Sequence, residues 1–321
     1  MASDACVSKK AGAMALTAVA VMTLTSIPAH AHPNRSTGRH PALAAAARAA
    51  APARRRRLPS GLSALAWTVA DADTGRVLAA RNPHRQLAPA STLKTLFAVT
   101  VLPKFSAGRV RQVGSEDLAG LGAGSSVVGV RQGGRYRVSD LWHGVFLRSG
   151  NDAVHVLASM NGGWSATARE MQQTARKLGA HDTTVKSPDG YDEPGQVSSA
   201  YDLTVFARAG LANADFARYC STAHARFPAA GGATTEIENT NRMLVGSHGL
   251  SRYPGIIGVK NGYTSKAGNT LIAAARRNGH TLIATVLNPQ SGEVNGVYKE
   301  AGALLDWGFD GADEADPVNR S

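Results

Sequence analysis

Pro89-Ala90-Ser91-Thr92-Leu93-Lys94-Thr95-Leu96-Phe97-Ala98-Val99-Thr100-Val101 is the stretch on which the reading of the fold turns. It lacks the turn residues that surround it, it is rich in helix formers, and it runs between Pro89 and Pro103, so a helix is predicted to begin near Ser91. Upstream, two apolar runs at 65–70 and 76–80 flank the turn Asp71-Ala72-Asp73-Thr74-Gly75 and predict a β-hairpin. Downstream, residues 110–138 are glycine-rich and read as loops with short strands.

Helical periodicity then takes over. Ser139 offers an N-cap for a helix over 141–147, Ser149-Gly150-Asn151 breaks it, and a second helix covers 153–160. Further helices are predicted over 164–178, 200–211 and 214–220. Towards the C-terminus three antiparallel strands are expected at 256–259, 269–275 and 281–287, with Arg277-Asn278-Gly279 as a turn, followed by a helix over 293–307. Strands at both chain ends with helices between them imply a mixed α/β (α+β) class: one sheet from the two ends, an inserted helical subdomain, and a cleft between the layers.

Composition narrows the classes of function. The chain has 321 residues and a formal charge of +12. Arg35, Arg39, Arg48 and Arg54 through Arg57 fall within 32–58, which holds no acidic side chain, so the folded remainder is only mildly basic. A nucleic-acid partner is not expected, because such an enzyme carries its charge on the folded domain, interleaved with aromatics. The Ala/Pro/Arg-rich segment 32–58 reads as a linker whose charge suits anionic cell-wall polymers or a membrane surface. Residues 1–31 read as an export signal, with Lys9 and Lys10 before an apolar run and Ala29-His30-Ala31 as the cleavage site. The expected product is an exported, extracytoplasmic domain over 59–310 with a tail at 311–321. Cys6 lies in the signal, which leaves Cys220 without an intrachain partner.

Three short motifs carry chemistry. Ser91 and Lys94 are one helical turn apart on one face; the hydroxyl needs a base, and a lysine held neutral can be that base. Burial and a second cation both lower a lysine's pKa. Ser149-Gly150-Asn151 offers a second hydroxyl and an amide, with a permissive glycine letting both project to one side. Lys260-Asn261-Gly262 ends an apolar strand with a cation, an amide and a residue without a side chain. The N–H of Tyr263 could pair with that of Ser91 to hold an oxyanion, while Lys260 supplies the second cation and attracts a carboxylate. Taken singly these are an N-cap, a turn and a solvated lysine; what distinguishes them is their joint order at a helix start, an interhelical turn and a strand end.

In that order the motifs resemble the S-x-x-K, S-x-N and K-T-G of the penicillin-recognising serine enzymes. The likeness is closest to the D-alanyl-D-alanine carboxypeptidases, through Asp71-Ala72-Asp73-Thr74-Gly75, Leu87-Ala88-Pro89-Ala90-Ser91-Thr92, Asn239-Thr240-Asn241-Arg242 and Gly258-Val259-Lys260-Asn261-Gly262-Tyr263-Thr264. It covers about residues 60 to 309. The resemblance implies a five-stranded antiparallel sheet packed with helices plus a helical subdomain, removal of the terminal D-alanine of peptidoglycan stem peptides through an acyl-enzyme, and acylation by β-lactams. It implies Ser91 as nucleophile, Lys94 as base and Ser149 as proton relay, with Asn151, Lys260, Asn261, Gly262, Tyr263 and Thr264 binding substrate. It also implies that no metal and no organic cofactor is needed.

Asn261 stands where the family has threonine; its amide donates to a carboxylate but cannot relay a proton. The family's second, β-rich domain and amphipathic tail have no counterpart in the sequence, so membrane attachment by that route is not expected. A class A β-lactamase is the nearest alternative, but residues 180–190 hold Asp182 and Asp189 and no glutamate to activate a deacylating water. A non-catalytic wall-binding protein is the other, against which Ser91 and Lys94 are intact. His84, His143, His155 and His181 lack metal-ligand spacing. Ser187-Pro188-Asp189-Gly190-Tyr191 is assigned no role.

Overall fold

The computed structural model describes residues 57–311. The export signal, most of the basic linker and all but the first residue of the tail lie outside the described residues.

The chain enters through β1 (Ala66–Asp71) and β2 (Val77–Arg81). Asp71 fixes the turn between them by accepting hydrogen bonds from the Thr74 amide and hydroxyl at 2.7 and 2.8 Å. A 3-10 turn over Ala90–Leu93 leads into α1 (Lys94–Val101). The glycine-rich segment contributes β3 (Val110–Gln112) and β4 (Arg135–Arg137). The helical block follows: α2 (Val138–Leu147), α3 (Asn151–Met160), α4 (Trp164–Lys177), α5 (Ala200–Leu211) and α6 (Ala214–Ser221). A hairpin of β5 (His224–Pro228) and β6 (Thr234–Glu238) and the short α7 (Arg242–Val245) precede β7 (Ile256–Thr264), β8 (Gly268–Arg277) and β9 (His280–Leu287). Helix α8 (Gly296–Gly311) closes the described chain.

Five antiparallel strands form one sheet in the order β2-β1-β9-β8-β7, joining the two ends of the domain as expected from the sequence. Side chains alternate across it. In β8, Leu271, Ala273 and Ala275 pack with Leu304 and Leu305 of α8, while Ile272 and Ala274 face the helical block with Phe97 and Leu203. Two apolar cores thus lie on opposite faces. Strand β7 is left at the sheet edge, beside the 3-10 turn that carries Ser91.

Some local expectations are corrected. Helix α2 begins at Val138, capped by the Asp140 carboxylate on the Arg137 amide at 2.9 Å, so Ser139 lies inside the helix and is not its cap. Helix α8 starts at Gly296, after the 293–295 turn, and runs four residues past Trp307. Strand β7 continues through Thr264, which places the whole Lys260-Asn261-Gly262 motif within a strand rather than at its end. No helix among the described residues is long and apolar enough to cross a membrane.

Candidate active site

The site is assembled where the helical block meets the edge of β7. Ala90, at φ 49°, turns the chain so that Ser91 sits at the mouth and Lys94 one turn deeper. The Lys94 ammonium nitrogen lies 2.8 Å from Ser91 Oγ and 2.7 Å from the main-chain oxygen of Asp189. Ser91 does not cap the helix with its side chain, so its hydroxyl is engaged with Lys94.

Lys94 is 1 % exposed, and burial lowers its pKa to about 8 against the opposing pull of Asp189 and Asp152. Lys260 is equally buried and is pushed well below the usual lysine range, by burial first and then by repulsion from Lys94. This reorders the sequence expectation: burial, ahead of the second cation, is what makes Lys94 a base. Lys260 is also not the solvated strand-end lysine that the isolated motif suggested. Its nitrogen donates to the Asn261 carbonyl at 2.8 Å, and among the described residues it pairs with no carboxylate. An incoming carboxylate would supply the missing counter-charge.

Ser149 follows the end of α2 in the left-handed region at φ 56°, a conformation that costs a non-glycine residue energy and is kept only where surroundings enforce it. Gly150, expected to be the permissive residue, has an ordinary φ of −60°. It is glycine for space, since a Cβ there would meet Asp152 Oδ1 at 2.7 Å and Val128 at 3.1 Å. Asp152 is buried and gathers the amides of Val128, Gly129 and Val130, holding the 125–130 loop over the site. Asn151 donates to Ser125 Oγ at 3.1 Å. Two oxygens here, Ser149 Oγ and Asn151 Oδ1, are buried without a hydrogen-bond partner. Buried polar atoms left unpaired are rare, and at a cleft they mark where a ligand completes the pairing.

On β7, Gly262 is a requirement of approach: a Cβ would lie 2.7 Å from the Ser91 nitrogen. Its absence lets the strand and the nucleophile's turn meet, bringing the Tyr263 segment alongside. The Tyr263 ring is 69 % exposed. Asn261 Oδ1 accepts from the Thr240 hydroxyl at 3.0 Å. The Thr264 hydroxyl is committed within the fold, donating to Asp192 at 2.7 Å and accepting from the Ala267 amide at 3.1 Å. Ser91, Ser149, Asn261, Gly262 and Tyr263 line one cleft of about 670 Å³, with Lys94 and Lys260 buried beneath it.

The segment given no role in the sequence turns out to matter. The Asp189 carbonyl positions Lys94, and Gly190, at φ 82°, packs so closely that a Cβ would fall 2.0 Å from the Ala90 carbonyl oxygen. A Pro-Asp-Gly tight turn was the available signal, but nothing local says what it touches. Among the described residues no cluster of three metal-ligating side chains occurs. His84 instead pairs with Asp182, and His155 stacks on Trp164.

Comparison with known proteins agrees with this geometry. A family profile described as D-alanyl-D-alanine carboxypeptidase matches residues 52–291. A D-alanyl-D-alanine carboxypeptidase of Mycobacterium tuberculosis is 38 % identical over 256 residues, 78 % of this chain and 84 % of that one. The crystal structure of a D-alanyl-D-alanine carboxypeptidase from Mycobacterium tuberculosis superposes with a TM-score of 0.72 at 36 % identity, covering 81 % of this chain and 95 % of that one. Penicillin binding protein 6B from Escherichia coli gives 0.70 at 33 % identity, covering 79 % and 80 %. With the sheet order, the paired Ser91 and Lys94 and the matched family profile all in agreement, the chain belongs to the D-alanyl-D-alanine carboxypeptidase family.

Proposed function

We propose that this protein removes the terminal D-alanine of peptidoglycan stem peptides through an acyl-enzyme on Ser91, and that β-lactams acylate the same oxygen. The observation that carries the reading is the 2.8 Å contact between Ser91 Oγ and a buried Lys94 whose pKa is lowered to about 8. Neutral Lys94 takes the Ser91 proton as Oγ bonds to the penultimate carbonyl carbon. The N–H groups of Ser91 and Tyr263 receive the oxyanion. Ser149, its oxygen free of protein partners, passes a proton to the departing amine, and the C–N bond breaks. Water then hydrolyses the ester.

Asn151 orients the substrate amide, and Lys260 with Asn261 receives the terminal carboxylate. Thr264 contributes by holding the end of β7 to Asp192 rather than by touching substrate with its hydroxyl. An exported, extracytoplasmic location follows from the substrate and from the signal-like residues 1–31. The basic linker would favour contact with anionic wall polymers or a membrane surface.

Release of free D-alanine from diacetyl-lysyl-D-alanyl-D-alanine, compared between the parent and Ser91→Ala, tests the proposal. Release by the parent with a loss of more than about a thousandfold in the variant is expected. Equal release by both would overturn Ser91 as nucleophile.

A further inference from the structure

The cleft is asymmetric about the reacting bond. With the carbonyl at the Ser91 and Tyr263 amides and the carboxylate at Lys260 and Asn261, the leaving residue points from Tyr263 towards Asn261, and everything beyond Asn261 lies on the leaving-group side. At the opposite, acyl end the fold is bridged. Tyr191 donates to the Ala123 carbonyl at 3.0 Å, and Asp192 binds Thr264; neither Tyr191, Asp192 nor Thr264 lines the cleft.

The leaving-group side is open and continues. Asn261 meets Thr240, whose carbonyl accepts from the Tyr298 hydroxyl at 3.3 Å. Beyond them the Arg242 guanidinium lies over the Tyr298 ring and donates to Asn295 at 2.5 Å. The same cleft runs on to Val294, which is 77 % exposed. A released D-alanine has six heavy atoms, whereas a cleft of about 670 Å³ is in the range that holds drug-sized ligands. The walls carry both signs of charge, Arg148 and Arg242 against Glu238 and Glu293. Mixed charge suits a zwitterionic peptide; it would repel as much as attract an anionic polymer, and a neutral glycan would not need it.

We propose that this extension receives a second stem peptide, and that the protein also hydrolyses D-alanyl cross-links in which the leaving amine belongs to a diamino acid that keeps a carboxylate beside it. This rests on the reading of Ser91 above, and the chemistry is unchanged. Ser91 Oγ bonds to the D-alanyl carbon, the amide C–N bond breaks, the amine takes the proton and departs with its peptide, and water hydrolyses the ester. The carboxylate beside the amine takes the place of the terminal carboxylate at Lys260. Further carboxylates of the second stem meet Arg242, and its free amine meets Glu293.

The test offers the purified protein two substrates in parallel: diacetyl-lysyl-D-alanyl-D-alanine and a cross-linked stem-peptide dimer of the stated type. Val294→Trp, at an exposed position, obstructs the far end without touching the fold, and Arg242→Ala removes the cation. The expected result is cleavage of both substrates by the parent, with each variant losing about tenfold or more in kcat/KM on the dimer while D-alanine release stays within about twofold. D-alanine release with an uncut dimer would overturn this inference and leave the carboxypeptidase reading intact, as would variants that lose both activities equally while melting at the parent temperature. Failure on both substrates would overturn the reading on which the inference rests.

Discussion

The two sides of the cleft are built to different degrees. On the helical side Lys94 has its partners, Ser91 Oγ and the Asp189 carbonyl, already at hydrogen-bond distance, and burial has already lowered its pKa to about 8. On the recognition side, Ser149 Oγ and Asn151 Oδ1 are buried without partners and Lys260 is buried without a counter-ion among the described residues. Proton-transfer geometry is supplied by the fold, while recognition groups are held in place and left for the substrate to complete. Preorganisation of this kind places the energetic cost in folding rather than in the reaction.

The sharpest way to break this comparison is Lys94→Ala. If the base is built into the helical side, acylation by penicillin falls by about 10²–10⁴-fold while the protein still folds. A loss below tenfold, measured by stopped-flow acylation, would mean that another group takes the proton. Ser149→Ala acts on the unfinished side and is expected to cost about 10²-fold in D-alanine release, with the acyl-enzyme less affected when the leaving group is a strained β-lactam amide. Equal losses on both substrates would assign Ser149 to holding the site together instead of relaying a proton.

Asn261→Thr is a smaller change that restores a hydroxyl next to Thr240. Turnover is expected to rise by up to about tenfold with acylation nearly unchanged, which single-turnover and steady-state rates separate. The smallest expected effect is a shift in pH dependence. A lysine base works when neutral, so kcat/KM for the parent should rise with pH through about 8 and level off above it. Asp189 raises the pKa of Lys94, so Asp189→Asn removes an opposing anion and should move the midpoint to lower pH, while Asn can still accept from Ser187 and Tyr191. A midpoint moving upward would contradict the assignment.

What the sequence disclosed follows the range of the interactions. The first hairpin, the Ser91 helix, the helical block and the three C-terminal strands were legible because each is set by local periodicity and by turns such as Arg277-Asn278-Gly279. The β5–β6 hairpin was missed. Its strands are short, and only Phe227 and Ile237 are buried, so little alternation marks it. Helix α7 is a single turn whose Asn241 cap is visible only in space. Within the site, Ser91, Lys94, Ser149 and Lys260 were readable as motifs. Asp189 was not, because it acts through a main-chain oxygen on a residue 95 positions away, a contact that leaves no mark on side-chain type. Asp152 was overlooked for a similar reason: its role is to gather amides from a loop more than twenty residues earlier.

The most direct test of the central claim is intact-protein mass spectrometry followed by peptide mapping after brief exposure to benzylpenicillin at pH 8. The account predicts one covalent adduct on the peptide containing Ser91, formed rapidly in the parent, slowly in Lys94→Ala and not at all in Ser91→Ala. An adduct on another residue, or undiminished labelling of Ser91→Ala, would contradict it.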